Sequence, residues 1–577
     1  MHDLVIRGGT LIDGTGNPSR VADLAIDGLT IVAVGEDSGK AIGAGRREID
    51  ATGQLVTPGW VDVHTHYDGQ VTWDPYLSPS SWHGVTTVVM GNCGVGFAPV
   101  RPGQEKFLME LMEGVEDIPE AVLSEGMPWN WETFAEYLDV VDGLDRAIDV
   151  AAQVPHCAVR AYVMGQRAHE NQATDDEIAE MREITRAALE AGAVGFSTSR
   201  TILHSSKHGT VPGTFSTPEE MLGIGGALGE AGHGVFEMLN DQMGEGPDLG
   251  WMREFCETTG RKLTFTFAQR DGSATPYLQT LSEMSALQEQ GLEIWPQVGC
   301  RAPGLLFGLQ GSLNPFVFHP TFLKMMTLSA KEKADELRKP EVRAQLLSED
   351  SLSATIAGMP DIARQMILEA WDRMYLLGDP PDYEPHPDTS AAATAKREGR
   401  RPEEVVLDWM SDNDGLGFVY RPLGNYADGN LDAVRNMLTS PQTVIGLSDG
   451  GAHCNMICDA SMPTYLLTHW ARDRKRGEGI AVEEVVRKQT SETARLYGFD
   501  DRGVLAVGMK ADVNVIDWDR LHIHAPEQRH DLPAGGSRLV QRVDGYTATI
   551  CSGKVIFENG EATGALPGKL IRGGAKA

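Results

Sequence analysis

The chain has 577 residues, of which 41% are hydrophobic, and its formal net charge is -32. Such an acidic protein would be repelled by the phosphates of nucleic acids and anionic membranes, and no apolar run approaches the length of a membrane span, so neither partner is expected. Seven scattered cysteines do not resemble a disulfide framework and no N-terminal signal pattern is recognised, so a cytoplasmic location is expected.

The two ends of the chain have the same pattern of short strands and turns. Apolar and polar residues alternate over residues 4–12, 21–28 and 31–35, with a turn at Asp27-Gly28. A similar pattern returns over residues 511–516, 546–551 and 554–557. We therefore predict one small β-sandwich domain built from residues 1–57 and 500–577.

Between the two ends, strand-like runs alternate with helical stretches such as residues 175–191 and 483–497, which is typical of βα units around a parallel sheet. The eight runs predict a (β/α)8 barrel over residues 58–499, with a doubly wound open sheet as the alternative. The long gap before the last run predicts an insertion or lid around residues 310–440. The first run ends near His66, and the others cover residues 86–90, 158–163, 193–196, 234–238, 263–267, 292–295 and 443–447.

Metal-ligand residue types lie where three of these predicted strands end. His64 and His66 end the first run, and alternate side chains of a strand point the same way, so both imidazoles can reach one ion. Cys93 follows the second run and Asp449 follows the eighth. A lone cysteine or a turn aspartate is common, but four zinc-ligand types at three strand ends predict a metal site.

Longer segments resemble the amidohydrolase superfamily, specifically its D-aminoacylase (N-acyl-D-amino-acid deacylase) branch. The most specific segment is Gly91-Asn-Cys-Gly-Val-Gly96, and the resemblance also rests on residues 3–14, 58–68, 83–99, 448–449 and 502–512. It implies a metal-dependent barrel with a small β-sandwich. It also implies one or two zinc ions, or another divalent metal, on His64, His66, Cys93 and Asp449, with Asp449 also transferring protons.

The chain departs from the family pattern at two strands. The family has a histidine on the fifth strand, where this chain has Glu237, and another on the sixth, where residues 264–270 contain none. A glutamate can also bind zinc, so Glu237 is a candidate ligand. The alternative is a structural carboxylate paired with an arginine or a lysine.

The residues expected to hold the substrate also differ. The family has an arginine after the position of Asp449 to hold a substrate carboxylate, but this chain has His453 in that region and no arginine. His453 is a candidate substrate contact, with an ordinary loop histidine as the alternative. Arg200 and Arg301 are the remaining candidate anion binders. The apolar stretch 301–309 favours a hydrophobic pocket, although core packing explains it equally well.

These observations predict a metal-dependent hydrolase of amide C–N bonds. The expected substrate is a small amide with a bulky apolar part, such as an N-acyl amino acid. A cyclic amide hydrolase is one alternative, and a non-catalytic ligand-binding barrel with a degraded metal site is another. Assembly into a homo-oligomer stays open.

Overall fold

Eight parallel strands form the central sheet of the protein. The structure is a computed structural model that describes residues 1–36, 42–169, 171–240, 248–271, 276–352, 361–446 and 448–574. Each strand pairs in parallel with the next one along the chain. We number them as the first to eighth barrel strands: Trp60–Asp62, Val85–Met90, Asp149–Pro155, Gly195–Ser199, Val235–Leu239, Lys262–Phe267, Ile294–Val298 and Val444–Ile445.

The first and eighth barrel strands join just beyond their carboxyl ends. Thr65 forms a parallel bridge with Gly450. The His66 N–H donates to the Gly450 carbonyl at 2.8 Å, and the Asp449 N–H donates to the His64 carbonyl at 3.2 Å. The sheet is therefore a barrel, as predicted, and its closing seam carries three of the predicted metal ligands.

Helices connect the barrel strands. Asp175–Glu190 matches its sequence prediction and starts with a capping box in which the Thr174 hydroxyl accepts from the Glu177 N–H. The predicted helix over residues 483–497 consists of Val482–Arg487 and Thr493–Tyr497 joined by a π-helical segment. The other helices of this part are Glu105–Glu116, Glu120–Gly126, Phe134–Asp142, His156–Met164, Pro218–Ala231, Leu249–Thr259, Pro276–Glu289, Asp432–Leu438 and Met462–Tyr465.

The prediction of the third strand was wrong. Residues 158–163 lie in the helix His156–Met164, and the third barrel strand is Asp149–Pro155. All seven residues of that strand are buried, whereas residues 161–163 of the helix are partly exposed. A short apolar run fits a buried strand or a buried helix face equally well, so its periodicity does not decide between them. The eighth strand is shorter than predicted, and Leu447 lies outside the described residues.

Both chain termini contribute to a second, nine-stranded sheet, as predicted. The chain leaves this sheet at Pro58, passes Gly59 and enters the first barrel strand at Trp60. The residue bounds proposed for the two domains stay a prediction. The nine strands are His2–Leu11, Arg20–Asp27, Thr30–Glu36, Gly45–Asp50, Leu55–Pro58, Val513–Ile516, Tyr546–Cys551, Lys554–Glu558 and Glu561–Ala562.

Buried charges join the C-terminal part of the chain to the amino end of the third barrel strand. The Asp149 carboxylate accepts from Arg502 Nη1 at 2.6 Å, lies 3.0 Å from Lys510 Nζ and accepts from the Lys569 N–H at 2.8 Å. Burial raises the pKa of Asp149, but Lys510 and Arg502 outweigh it and hold this pKa below its usual range. The contact therefore depends on an ionised carboxylate.

The segment between the seventh and eighth strands has its own apolar core. Phe307, Leu337, Val406 and Met410 are fully buried within that cluster. A three-stranded antiparallel sheet lies beside it, formed by Gly304–Phe307, Tyr375–Leu376 and Val419–Pro422. The helices of this segment are Pro320–Leu323, Ala330–Leu337, Pro340–Ser348, Asp361–Leu368, Ala391–Glu398 and Pro402–Gly415. Across the described residues, no helix has the length and apolar character needed to cross a membrane.

Candidate metal centre

Three of the predicted ligands meet at the carboxyl end of the barrel. One nitrogen of His64, one of His66 and Cys93 Sγ all lie within 4.8 Å of one another, and all three residues are buried. His64 Nε2 is 3.2 Å from Cys93 Sγ. Within the described part of the chain, this is the one group of three or more metal-ligand side chains that lie so close together.

Asp449 lies beside both histidines. Its Oδ1 is 3.5 Å from His64 Nε2 and 3.6 Å from His66 Nε2. Its side chain is 17% exposed, whereas those of the two histidines are at most 1% exposed. The same carboxylate therefore faces the two imidazoles and the solvent side of the cluster.

The backbone around Cys93 explains the glycines on either side of it. A Cβ on Gly91 would lie 2.4 Å from the Gln153 carbonyl oxygen, and a Cβ on Gly94 would lie 2.8 Å from Thr198 Cα. Both glycines have positive φ, and Cys93 itself has φ 55°. Positive φ is uncommon for other residues and costs energy, so this turn is held in place by close packing on the neighbouring strands.

Asp449 and His453 also have positive φ, each at 50°. Together with Cys93, three of the predicted site residues therefore have a backbone conformation that is unfavourable for side chains with a Cβ. Backbone strain of this kind often clusters at functional sites.

Each of the two candidate ligand histidines has a second side chain facing its Nδ1 atom. His64 Nδ1 is 3.0 Å from Gln297 Oε1, and His66 Nδ1 is 3.4 Å from Glu116 Oε1. Neither Gln297 nor Glu116 was singled out in the sequence. Gln297 lies on the seventh barrel strand, so its inward position at that strand's end was the available signal, whereas Glu116 ends a helix and belongs to no recognised motif.

Glu237 lies on the fifth barrel strand and is fully buried. Its Oε2 accepts from the Cys93 N–H at 2.9 Å, and its Oε1 is 3.9 Å from His64 Nδ1. Oε1 has no hydrogen-bond partner in the described part of the chain. Glu237 therefore contacts the backbone of one candidate ligand and lies close to another, and its own role as a ligand stays a prediction.

The pKa values of the two histidines differ because their electrostatic environments differ. Burial lowers the pKa of His64 to about 4. Burial also opposes the charged form of His66, but Glu116 and Asp449 outweigh it and raise its pKa to about 9. Burial alone would raise the pKa of Asp449, but the close imidazoles of His66 and His64 hold it below its usual range.

The two remaining candidate ligands favour their neutral forms when no cation is bound. Burial and the nearby Glu237 and Glu116 raise the pKa of the Cys93 thiol well above its usual value. Burial raises the pKa of Glu237 to about 8, although the Cys93 N–H opposes this. A divalent cation would reverse both effects by stabilising the thiolate and the carboxylate. Two imidazoles, one thiol and nearby carboxylates are a donor set that fits zinc.

Two further histidines lie around the cluster. His453 Nε2 is 3.6 Å from Glu116 Oε2. Burial, with smaller contributions from His453 and His66, lowers the pKa of His204, which was not singled out in the sequence, to about 3. His204 follows the fourth barrel strand, and its Nδ1 is 3.4 Å from Ser199 Oγ. The structure therefore brings both His453 and His204 near the cluster, and substrate contact by His453 stays a prediction.

The two candidate arginines have different surroundings. Arg301 is fully buried, donates to Asp459 Oδ1 at 2.8 Å and lies over the Tyr383 ring at 3.6 Å. Arg200 is partly exposed and donates to the Ser216 carbonyl at 2.7 Å. Anion binding by either residue stays a prediction.

The sequence matches the Amidohydrolase family over residues 47–557. The chain therefore belongs to this family, and its resemblance to the D-aminoacylase branch is confirmed. Membership places it among the metal-dependent hydrolases of carbon–nitrogen bonds.

Two relatives illustrate the extent of the likeness. D-aminoacylase from Alcaligenes xylosoxydans xylosoxydans is 40% identical over 198 residues, which are 34% of this chain and 37% of that enzyme. The match thus spans little more than a third of that relative. N-acyl-D-glutamate deacylase from the same organism is 27% identical over 576 residues, covering 99% of this chain and 96% of the relative.

Solved structures share the fold. An N-acyl-D-glutamate deacylase from Bordetella bronchiseptica, complexed with zinc and a phosphonate inhibitor, has a TM-score of 0.65 at 24% identity, with 99% of each chain covered. A D-aminoacylase structure described by its binuclear metal centre has a TM-score of 0.65 at 22% identity, covering 99% of this chain and all of that one. At these identities the likeness defines the fold: a barrel with a β domain built from both termini.

Proposed function

We propose that this protein hydrolyses amide C–N bonds with the help of one bound metal ion. The observation that carries the proposal is the meeting of two imidazoles and one thiol within 4.8 Å at the carboxyl end of the barrel. This is the end at which barrel enzymes carry their active sites. A ligand-binding barrel with a degraded site has no need for such a donor set.

The ion is most simply zinc, held by His64, His66 and Cys93 with Asp449 as a fourth ligand or close neighbour. Glu237 is the further candidate ligand, and it would add negative charge beside the thiolate. When bound, the cation polarises the amide carbonyl and acidifies the attacking water. A second ion, or another divalent metal, is the alternative.

Asp449 is the group that we assign to proton transfer. Its pKa is held below its usual range, so its carboxylate is ionised near neutral pH and can accept a proton at Oδ1. Its partial exposure places it between the buried ligands and an entering substrate. We propose that it accepts a proton from water and delivers it to the leaving nitrogen.

We propose a small-molecule amide with a bulky apolar part as the substrate. The names of the relatives, D-aminoacylase and N-acyl-D-glutamate deacylase, support an N-acyl amino acid. The chain next to His204 supports the apolar part, because Ile202 and Leu203 are about half exposed. Exposed apolar side chains beside a polar cluster form a suitable surface for an acyl chain.

Three residues are proposed to orient the polar part of this substrate. His453 lies nearest the metal cluster, through Glu116. Arg200 lies two residues before Ile202, and Arg301 is already engaged in a hydrogen bond to Asp459. We expect His453 to have the largest effect on KM and Arg301 to contribute mainly through the local structure.

A turnover screen tests the proposal. Zinc-loaded protein would be incubated with N-acyl-D- and N-acyl-L-amino acids, linear amides and cyclic amides, with metal-stripped protein as the control. Release of the acid and the amine only when metal is present is the expected result. Preference for the cyclic amides would favour the alternative hydrolase. Absence of both turnover and stoichiometric metal would favour the non-catalytic alternative.

Location and assembly are further proposals. The seven cysteines are all free and buried, which suits a reducing compartment such as the cytoplasm. Fractionation of cells that produce the protein tests the location, and sedimentation tests for a homo-oligomer.

A further inference from the structure

Glu116 is a buried carboxylate between two imidazoles. Its side chain is 1% exposed, and neither oxygen has a hydrogen-bond partner among the described residues. Oε1 is 3.4 Å from His66 Nδ1, and Oε2 is 3.6 Å from His453 Nε2. Two histidine contacts at these distances offset only part of the cost of burying a carboxylate, which is on the order of several kcal/mol, so this arrangement needs a reason.

The local structure directs Glu116 to this position. It is the last residue of the helix Glu105–Glu116, and Asp117 after it has a positive φ of 53°. The Asp117 carboxylate accepts from the Asn455 N–H at 2.8 Å, which ties this turn to the segment that carries His453. The turn and the His453 segment are therefore held together independently of Glu116.

The two contacts of Glu116 have different consequences for the metal centre. His66 Nε2 faces Asp449, so a contact of its Nδ1–H with Glu116 leaves Nε2 free for the ion. Carboxylates that accept from the outer N–H of a metal-bound histidine fix the ring and make it a stronger ligand. Gln297 has the corresponding position at His64, but as a neutral acceptor.

On the other side, Glu116 holds the ring of His453. With Nε2 directed at the carboxylate, Nδ1 is the remaining polar atom, and it is buried without a partner in the described ranges. That atom is available to a polar group of a substrate that enters beside Asp449.

We propose that Glu116 is a positioning residue that links the metal centre to substrate binding: through His66 it strengthens metal binding, and through His453 it orients the substrate. The first half concerns this chain's metal affinity alone. The second half rests on the proposed hydrolase function.

The metal half is tested by chelator competition on the full-length protein. We expect Glu116→Gln to weaken zinc affinity about 10- to 100-fold, the usual effect of losing such an outer carboxylate. In cobalt-loaded protein the visible absorption bands should also shift, which a purely structural loss would not cause in folded protein. Glu110→Gln is the matched control, because Glu110 lies on the same helix but binds Lys207 and His208 instead.

The substrate half is tested by comparing single and double variants. His453→Ala should raise KM with little change in zinc affinity, and Glu116→Gln should raise KM less when His453 is already absent. If Glu116→Gln is too unstable to purify, Gln297→Glu supplies the reciprocal test. It places a carboxylate at His64 Nδ1 and should tighten zinc binding.

The outcomes separate the two proposals. Wild-type zinc affinity and cobalt spectrum in folded Glu116→Gln protein, or unchanged affinity in Gln297→Glu, would overturn the positioning role whatever the enzyme's substrate is. Weakened zinc binding without turnover of any amide by the wild-type protein would retain the metal half and reject the proposed function with the substrate half. Additive KM effects in the double variant would reject the link to His453.

Discussion

Buried carboxylates at the two ends of the barrel differ in whether they have hydrogen-bond partners. At the amino end of the third strand, the Asp149 carboxylate has Arg502, Lys510 and the Lys569 N–H as partners. At the carboxyl end, both oxygens of Glu116 and one oxygen of Glu237 have no hydrogen-bond partner in the described part of the chain, although histidine nitrogens lie 3.4 to 3.9 Å away. The same fold thus contains a satisfied carboxylate at one end and unsatisfied ones at the other.

This contrast indicates that the buried charges at the amino end of the barrel stabilise the fold, whereas those at the carboxyl end are suited to binding a cation. Removing one partner of a buried ion pair destabilises a fold, whereas buried carboxylates without hydrogen bonds cost stability that a bound cation can restore. Changes at the carboxyl end should therefore affect metal binding and activity, and changes at the amino end should affect unfolding. Substitutions at each end of the barrel test that separation.

The largest effect is expected for Asp449→Asn. Asparagine cannot accept and deliver the proton, so kcat/KM should fall by roughly three orders of magnitude or more while the fold stays intact. Steady-state kinetics on the best substrate of the screen measures this, with thermal unfolding as a check of folding. Activity within about tenfold of wild type would assign the proton transfer to another group.

Metal binding should be lost in the His64→Ala/His66→Ala double variant. Two of the three clustered donors are removed, so elemental analysis should find about one zinc ion per wild-type chain and almost none per variant chain. The exposed His530 provides the control, because His530→Ala removes an imidazole that is not one of the clustered donors. Unchanged metal content in the double variant would show that the ion binds elsewhere.

At the other end of the barrel, Asp149→Asn should lower the free energy of unfolding by about 1.5–3 kcal/mol, because it removes the buried carboxylate that Arg502 and Lys510 share, while Asp501 and Asp512 stay as their other partners. Urea unfolding of metal-loaded protein measures the change, and zinc affinity should stay as in wild type. The exposed Asp139–Arg572 pair gives a matched control, for which Asp139→Asn should cost at most about 1 kcal/mol. Similar effects of the two substitutions would contradict the contrast between a buried and an exposed pair.

The same carboxylate should make stability depend on pH. The pKa of Asp149 is lower in the folded than in the unfolded chain, so its contribution is fully present above the unfolded value of about 3.9 and is lost as the pH falls towards the folded value. The acid side of the stability profile should therefore be flatter for Asp149→Asn than for wild type. Parallel profiles for the two proteins would mean that other carboxyl groups dominate acid unfolding.

The smallest effect is expected for Glu237→His. It replaces a negative oxygen ligand with a neutral nitrogen, which should raise zinc affinity severalfold or admit a second ion. Isothermal titration with zinc measures both affinity and stoichiometry. The Glu237→Gln variant is the control, because it removes the negative charge without adding an imidazole. Equal zinc affinities for wild type and both variants would show that Glu237 is not a ligand.

Much of the candidate site was predictable because its residues follow strand ends in the sequence. His64 and His66 were recognisable from their spacing, and Cys93 from the glycines that its turn requires. Glu116 was not predictable, because a glutamate near the end of an amphipathic helix is ordinarily a surface residue. Its position depends on where that helix ends relative to His66 and His453, which are distant in sequence.

Local sequence patterns were sufficient to predict the alternation of strands and helices, the two strand-rich termini that form one β domain and the ligand types at three strand ends, because periodicity and turn chemistry are visible along the chain. Tertiary structure alone decided that Asp149–Pro155 is the third strand, that the seam between the first and eighth strands brings Asp449 to the histidines, and that Gln297 and Glu116 face their Nδ1 atoms. Such contacts depend on the packing of segments that are far apart in the chain, so a local sequence pattern does not predict them.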